Sequence, residues 1–248
     1  MTMTNNVIVL AGNGSLYQEL AQLLEDRNYQ VIDHKYYEIY KDRIRFAVEV
    51  TNVDLQMKKA GIQKLDQVLP AHIPILSTSL AITATEIASW AKYPDRICGF
   101  GTLVPLSERN LIEIAPALQT SRDTIQMAES LIHSLGKEVE IVDDEAGLVF
   151  PRILSLIINE AAFTVMEGTA TPGDIDIAMK KGTNYPYGPL EWADRIGLDE
   201  VYAIVQGLHK NLAEERYRPA PLLRKKVLAG MVGVRNGQGF YTYEKPGV

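Results

Sequence analysis

From Val7 to Asp144 the chain keeps changing period: short β-branched runs give way to stretches whose apolar residues recur every three or four positions. This alternation is the tightest constraint in the sequence. Strands separated by helices pair in parallel within one sheet, with the helices as crossovers. Val7-Ile8-Val9-Leu10 reads as a strand buried on both faces, followed by a helix carrying Leu16, Leu20, Leu23 and Leu24. Further strands are expected in "YQVIDH", ending at Asp33, in "RIRFAVEV" (43–50), and in "IPILSTS", "RICGFGTLVP" and "EVEIVDD". The intervening helices are "LQMKKAGIQKLDQVL", stopped by Pro70, "TATEIASWAK", with a capping box from Thr83 to Glu86, and "DTIQMAESLIHSLG", closed by Gly136. Six strands with crossover helices predict a doubly wound α/β sheet.

After Asp143-Asp144 the strand signal stops. "PRILSLIINEAAFTVMEG" is a long helix with Pro151 in its first turn, Gly168 at its end, and Ile153, Leu156, Ile157, Ala161 and Val165 on one face. "TPGDIDIAMKKG", "LDEVYAIVQGLHKNLAEE" and "PLLRKKVLAGM" are further helices, and "NGQGFYTYE" closes the chain as a glycine turn and an extended aromatic piece. The expected organisation is an α/β domain over 1–145 and an all-α domain over 146–248, joined without a flexible linker.

The formal charge of −6 argues against a broad nucleic-acid surface. Cys98, the one cysteine, excludes an internal disulfide and a cysteine-based zinc site, and its apolar neighbours mark it as a small buried side chain rather than a nucleophile. No metal site is expected. The start "MTMTNN" has neither the basic region nor the apolar core of a signal peptide, and no apolar run is long enough to span a bilayer. A cytoplasmic protein with no membrane partner is expected.

The loop after the first strand carries Gly12-Asn13-Gly14-Ser15. A dinucleotide-binding G-x-G-x-x-G uses its glycines for the tight turn, for close approach of the pyrophosphate and for helix–strand packing. Gly12 and Gly14 fit the first two roles and Ser15 can bond a phosphate. The third position is Tyr17, which either crowds the helix against the sheet or swings over the phosphate site. Asp33 ends the second strand 19 residues past Gly14, where a ribose-binding carboxylate belongs, although a strand-end Asp also caps turns.

Four strings in order over the second half, D-I-D-x-A-M-K, Y-P-x-G-P with G-L-D, R-Y-R-P-x-P-L-L-R-K and G-x-G-F-Y-x-Y, resemble the C-terminal domain of the 3-hydroxyacyl-CoA dehydrogenase (3-hydroxybutyryl-CoA dehydrogenase) family. "LQMKKAGIQKLDQVLP", "ATEIASWAKYPDRICGF" and "IEIAPALQTSRDTI" are similar to that family's nucleotide-binding domain, so the resemblance spans nearly the whole chain. It implies a Rossmann-like domain that binds NAD, NAD-dependent oxidation of a 3-hydroxyacyl-CoA to a 3-oxoacyl-CoA in fatty-acid metabolism, and a homodimer formed through the C-terminal domain. Lys58 matches a lysine near cofactor and CoA phosphates, with a solvated helix face as the other reading. Arg218, Arg224, Lys225 and Lys226 are read as a charged helix surface.

The resemblance also marks departures. Only "HKYYEIYKDR" stands where the family carries a long helical hairpin. The family's proton transfer rests on a His–Glu pair, the His lying in G-x-H-F-F-N-P. The matching stretch runs from Gly99 to Pro105, and Gly101 stands at the His. Glu113 in "NLIEI" matches the Glu, although a lone glutamate on a strand is ordinarily solvated. "LSTSLAIT" keeps Ser77 and Ser79 for substrate oxygens, with Leu80 and Ala81 at adjacent serine positions, and Pro151 stands at an Asn. Two readings follow: a dehydrogenase with weak or rearranged catalysis, or a pseudoenzyme that binds an acyl-CoA or nucleotide and works as a partner protein.

Overall fold

The computed structural model describes residues 6–244, so most of the polar start lies outside the described residues. The chain divides into two compact units between Leu148 and Val149. In the first, β1 (Val7–Ala11), β2 (Gln30–Ile32), β3 (Ile44–Glu49), β4 (Ile75–Thr78), β5 (Ile97–Gly101), β6 (Leu111–Pro116) and β7 (Glu138–Ile141) form one sheet in the order 2-1-3-4-5-6-7. Its helices are α1 (Gly14–Asp26), the four-residue α2 (Tyr37–Tyr40), α3 (Leu55–Val68), α4 (Ala84–Ala88) and α5 (Arg122–Ser134).

The period of two along the strands separates the core into two layers. Ile8, Leu10, Leu76 and Cys98 pack with Leu16, Leu20 and Leu24 of α1 and with Leu131 and Ile132 of α5. Val7, Val9, Ile75 and Ile97 pack on the other face with Ile62 and Leu65 of α3 and Ile87 of α4. Both faces are therefore covered, as a doubly wound sheet requires. Gly136, at φ +75°, ends α5 as expected.

The structure adds a seventh strand to the six expected. β6 pairs antiparallel with β5, while every other ladder is parallel. The segment between β5 and β6 holds only a 3-10 turn, Leu106–Glu108, and without a crossover helix the chain can only return antiparallel. Between β2 and β3 the chain holds a 3-10 turn, His34–Tyr36, and α2, with no long hairpin.

The second unit contains α6 (Phe150–Met166), α7 (Pro172–Thr183), α8 (Pro189–Ile196), α9 (Leu198–Leu212) and α10 (Pro221–Leu228). The buried face of α6 shares only Ala161 with the one expected. Leu154, Ile158, Ala161 and Ala162 are buried against the unit, whereas Ile153 is 55% exposed. Both stripes are apolar at helical spacing, so periodicity alone could not choose between them.

Two buried aspartates hold this unit together. Asp176 accepts the Leu190 and Glu191 N–H groups, capping α8, and the Tyr241 hydroxyl at 2.7 Å. Asp194 accepts the Phe240 and Tyr241 N–H groups and the Tyr243 hydroxyl, which fastens the final aromatic segment to α8. A Cβ on Gly188 or Gly239 would collide with these carboxylates, so both glycines are needed for close approach. The second-half strings that carried the resemblance are thus largely the parts of two carboxylate clamps.

Candidate active site and cofactor cleft

The loop after β1 is shaped by its two glycines. Gly12 has φ +117°, and a Cβ there would lie 2.9 Å from Val50 Cγ2 and 3.1 Å from the Thr51 nitrogen. Only glycine lets this loop pass so close to the end of β3. Gly14, at φ +88°, has nothing within 4 Å of a built Cβ. Neither a side-chain cap from Asn13 nor an acidic residue in the first turn serves the opening N–H groups of α1, a 13-residue helix, the arrangement that suits a phosphate.

Beside this helix end lies a cleft of about 360 Å³, lined among others by Gly12, Tyr17, Asp33, His34, Thr51 and Lys64. Tyr17 does not fill it. The ring is half-buried against the α1-side core and forms part of the wall. Asp33 stands at the rim and uses Oδ1 both to accept the Lys35 N–H at 2.9 Å and to meet His34 Nδ1 at 3.3 Å. Its Oδ2 has no partner among the described residues. Ser15, in the first turn of α1, is half-buried.

Lys58 and Ser77 are both buried and bonded to Glu49. Lys58 is 0% exposed, so it belongs neither to a solvated face nor to a phosphate at the rim. Its Nζ donates to Glu49 Oε2 at 2.5 Å, to the Thr51 carbonyl at 2.8 Å and to Thr78 Oγ1 at 3.1 Å. Ser77 gives its hydroxyl to the same Glu49 oxygen at 2.8 Å rather than to a substrate, and Glu49 also accepts the Thr51 N–H at 2.7 Å. The network ties β3, β4 and α3 together behind the cleft. Ser79 is also fully buried, and its hydroxyl has no partner among the described residues.

The antiparallel register sets Gly101 directly opposite Glu113. The two positions of the resemblance's proton-transfer pair are therefore cross-strand neighbours. Glu113 is only 5% exposed, which corrects the solvated reading. None of the three histidines of the first unit lies on β5 or β6. A Cβ on Gly101 would run into Leu148 Cδ1 and lie 3.2 Å from Leu80 Cδ2. Leu148 is 3% exposed and holds φ +52°, a left-handed conformation that costs a leucine free energy.

The histidines lie elsewhere. His34 sits at the end of β2, four strands from β5 in the sheet order and so roughly 19 Å away at the usual strand spacing. His72 lines a separate recess with Lys41 and Arg45, just before β4 begins. His133 Nδ1 lies 3.2 Å from the Lys137 carbonyl. His209 belongs to the second unit, as does Pro151, buried in the first turn of α6.

Cys98 is buried in the sheet, and burial pushes its thiol up to about 12. Among the described residues no group of three His, Cys, Asp or Glu side chains could hold a metal ion, and no helix is long and apolar enough to cross a membrane. Of the basic residues in the second unit, Lys226 donates to the Gly239 carbonyl at 2.7 Å and Arg218 pairs with Glu215, while Arg224 and Lys225 are exposed. Sequence reasoning did not single out Asn52 and Thr102, two buried polar residues just beyond β3 and β5, whose side-chain oxygens Oδ1 and Oγ1 have no partner among the described residues.

Two family models divide the chain between them. The NAD binding domain of 3-hydroxyacyl-CoA dehydrogenase matches residues 17–145 and the C-terminal domain of the same enzyme matches residues 147–243. This chain belongs to the 3-hydroxyacyl-CoA dehydrogenase family. It is 39% identical over 199 residues to a probable 3-hydroxybutyryl-CoA dehydrogenase of Bacillus subtilis (strain 168), covering 80% of this chain and 69% of that one. A 3-hydroxybutyryl-CoA dehydrogenase of Clostridioides difficile is 35% identical over 209 residues, 84% of this chain and 74% of its own. The crystal structure of (S)-3-hydroxybutyryl-CoA dehydrogenase from Ralstonia eutropha superposes with a TM-score of 0.79 at 29% identity, over 97% of this chain and 99% of that chain. The first unit is thus the family's NAD-binding domain with a Rossmann-like sheet, and the second is its helical C-terminal domain.

Proposed function

We propose that this chain binds NAD in the cleft of its first unit but has lost the group that takes the substrate proton. The family's oxidation of a 3-hydroxyacyl-CoA would then run slowly at best, and the protein would act chiefly as a nucleotide- or acyl-CoA-binding or regulatory partner. One observation carries this reading: opposite Glu113 stands a glycine whose missing side chain is replaced in space by Leu148 and Leu80.

The residues of the cleft fit a dinucleotide. The uncapped N-terminus of α1, with Gly12, Gly14 and Ser15, takes the pyrophosphate, and Asp33 Oδ2 takes a ribose hydroxyl. When bound, NAD supplies a hydride acceptor. As hydride leaves a 3-hydroxyl carbon, the hydroxyl proton needs an acceptor whose pKa lies near the working pH. In this chain a glycine, not a histidine, stands opposite Glu113, and leucine side chains can neither accept nor relay a proton. Removing a general base costs on the order of 10² to 10⁴ in rate.

The second unit supports a homodimer. Beside the exposed Ile153, an apolar groove of about 520 Å³ runs between α6 and α7, with Ile157, Ala161, Ile175 and Met179 in its wall. A sedimentation measurement giving twice the chain mass supports this, and a monomer at micromolar concentration would exclude it.

The cofactor reading is tested by calorimetric titration of the full chain with NADH. Saturable one-site binding, lost on Gly12→Val, is expected. Absence of binding at millimolar NADH would leave a scaffold whose ligands lie among acyl-CoAs or proteins.

A further inference from the structure

A second recess lies at the amino edge of the first unit's sheet, where Ile44 opens β3 and Ile73 leads into β4. Its volume is about 350 Å³, within the range of small-molecule sites, and it shares no lining residue with the cofactor cleft. Lys41, Arg45 and His72 line it, and Asp42 is the one acid among the described residues that do. A locally cationic hollow stands out in a chain of net charge −6. Lys41 meets Glu38 at 3.6 Å, but the two side chains are 51% and 80% exposed, and a pair so exposed is worth little. Lys41 can therefore turn to a ligand. Lys41 and Asp42 come from the short segment that stands where the family has its long hairpin, so the recess is built in part by what is particular to this chain.

A guanidinium presents its N–H donors in a planar fork that matches phosphate oxygens, and an ammonium adds donors as a compact charge. A neutral imidazole adds one ring N–H. Opposed by a single carboxylate, this set favours a doubly charged ligand over a singly charged one. The other walls of the recess, Tyr37, Ile44, Ile73 and Met127, gain only from a ligand that also carries an apolar body. We propose that this recess is a second ligand site, apart from the dinucleotide cleft, for a small phosphate monoester bearing an aromatic group. Arg45 and Lys41 hold the phosphate, His72 donates from its ring, and the aromatic group lies against Tyr37 and Met127. The proposal does not depend on the cleft's taking NAD.

Calorimetric titration of the full chain with phenyl phosphate and, separately, with inorganic phosphate tests it. Saturable one-site binding of phenyl phosphate is expected, tighter than that of inorganic phosphate by about 10-fold or more through burial of the ring. Lys41→Gln and Arg45→Gln should each weaken it by about 3- to 10-fold, the value of one such bond at an exposed site. Asp42→Asn should strengthen it by about 2- to 5-fold, because an opposing charge is removed, and a residue that only shaped the recess would not have this effect. Lys64→Gln, in the cofactor cleft, should change it by less than about 2-fold. Should Arg45→Gln lower the melting temperature, Lys41→Gln and Asp42→Asn, both at exposed positions, still decide the matter. No saturable binding at millimolar phenyl phosphate, equal affinity for the two ligands, or unchanged affinity in Lys41→Gln or Asp42→Asn would overturn the proposal. Weakening by Lys64→Gln as large as that by Lys41→Gln would put the ligand in the cofactor cleft and overturn it too.

Discussion

Lys58 illustrates how far a single residue can be read from sequence. Its helix, its lysine neighbour and the family resemblance all pointed outward, yet it lies inside with Glu49 as counter-charge. Breaking such a pair by removing one partner costs about 3–5 kcal/mol, because the remaining charge is buried alone. Lys58→Met should therefore destabilise strongly in urea titration, and adding Glu49→Gln should recover part of the loss. Additive losses would show that the pair is not coupled. Cys98 was legible: apolar neighbours on a strand predicted a buried, unreactive thiol. With its thiol raised to about 12, it should resist a disulfide reagent at pH 8 in the folded protein and react once per chain in denaturant. Glu113 and Lys58 were not legible, since burial of a charged side chain depends on partners brought in by other elements.

Among the elements, the β5–β6 pair is the one on which the proposed loss of activity turns. The antiparallel return of β6 was missed because the short turn after Pro105 was not read as a reversal of the chain, and that return sets Glu113 opposite Gly101. Leu148, held at a positive φ, closes the space. Gly101→Ala should cost about 1–3 kcal/mol by overpacking. That cost should shrink on a Leu148→Ala background, and an unchanged cost in the double-mutant cycle would show that Leu148 is not the obstacle. Gly101→His alone should therefore fail to restore a working base.

The clamps of the second unit make a prediction in pH. Burial pushes the Asp194 carboxyl above its ordinary range, against the lowering effect of the hydrogen bonds from Tyr241, Phe240 and Tyr243. Above that ordinary range the folded state holds the proton more readily than the unfolded state, so Asp194's contribution to stability falls as pH rises through the raised pKa. Asp194→Asn should lower stability by about 1–3 kcal/mol, since an amide N–H₂ then faces donors. Its deficit relative to wild type should shrink as pH rises from about 4, the ordinary carboxylate value. A deficit independent of pH would contradict the shift.

For the whole molecule, the alternation of periods was enough to specify a doubly wound domain followed by a helical one, because each element must bury its apolar side against the next. Order and pairing were less legible, since they depend on the lengths and routes of connections rather than on composition. The chain keeps the family's two domains and the glycine turn before α1, while the space beside Gly101, opposite Glu113, is taken by Leu148 and Leu80. The most direct test is the steady-state rate of acetoacetyl-CoA-dependent NADH oxidation, with NADH saturating by the calorimetric measure. Ordinary enzymes turn over at about 1–10³ s⁻¹, and the account predicts a rate roughly 10² to 10⁴ lower. Turnover within the ordinary range would contradict it, and would mean that a group other than the missing imidazole takes the proton.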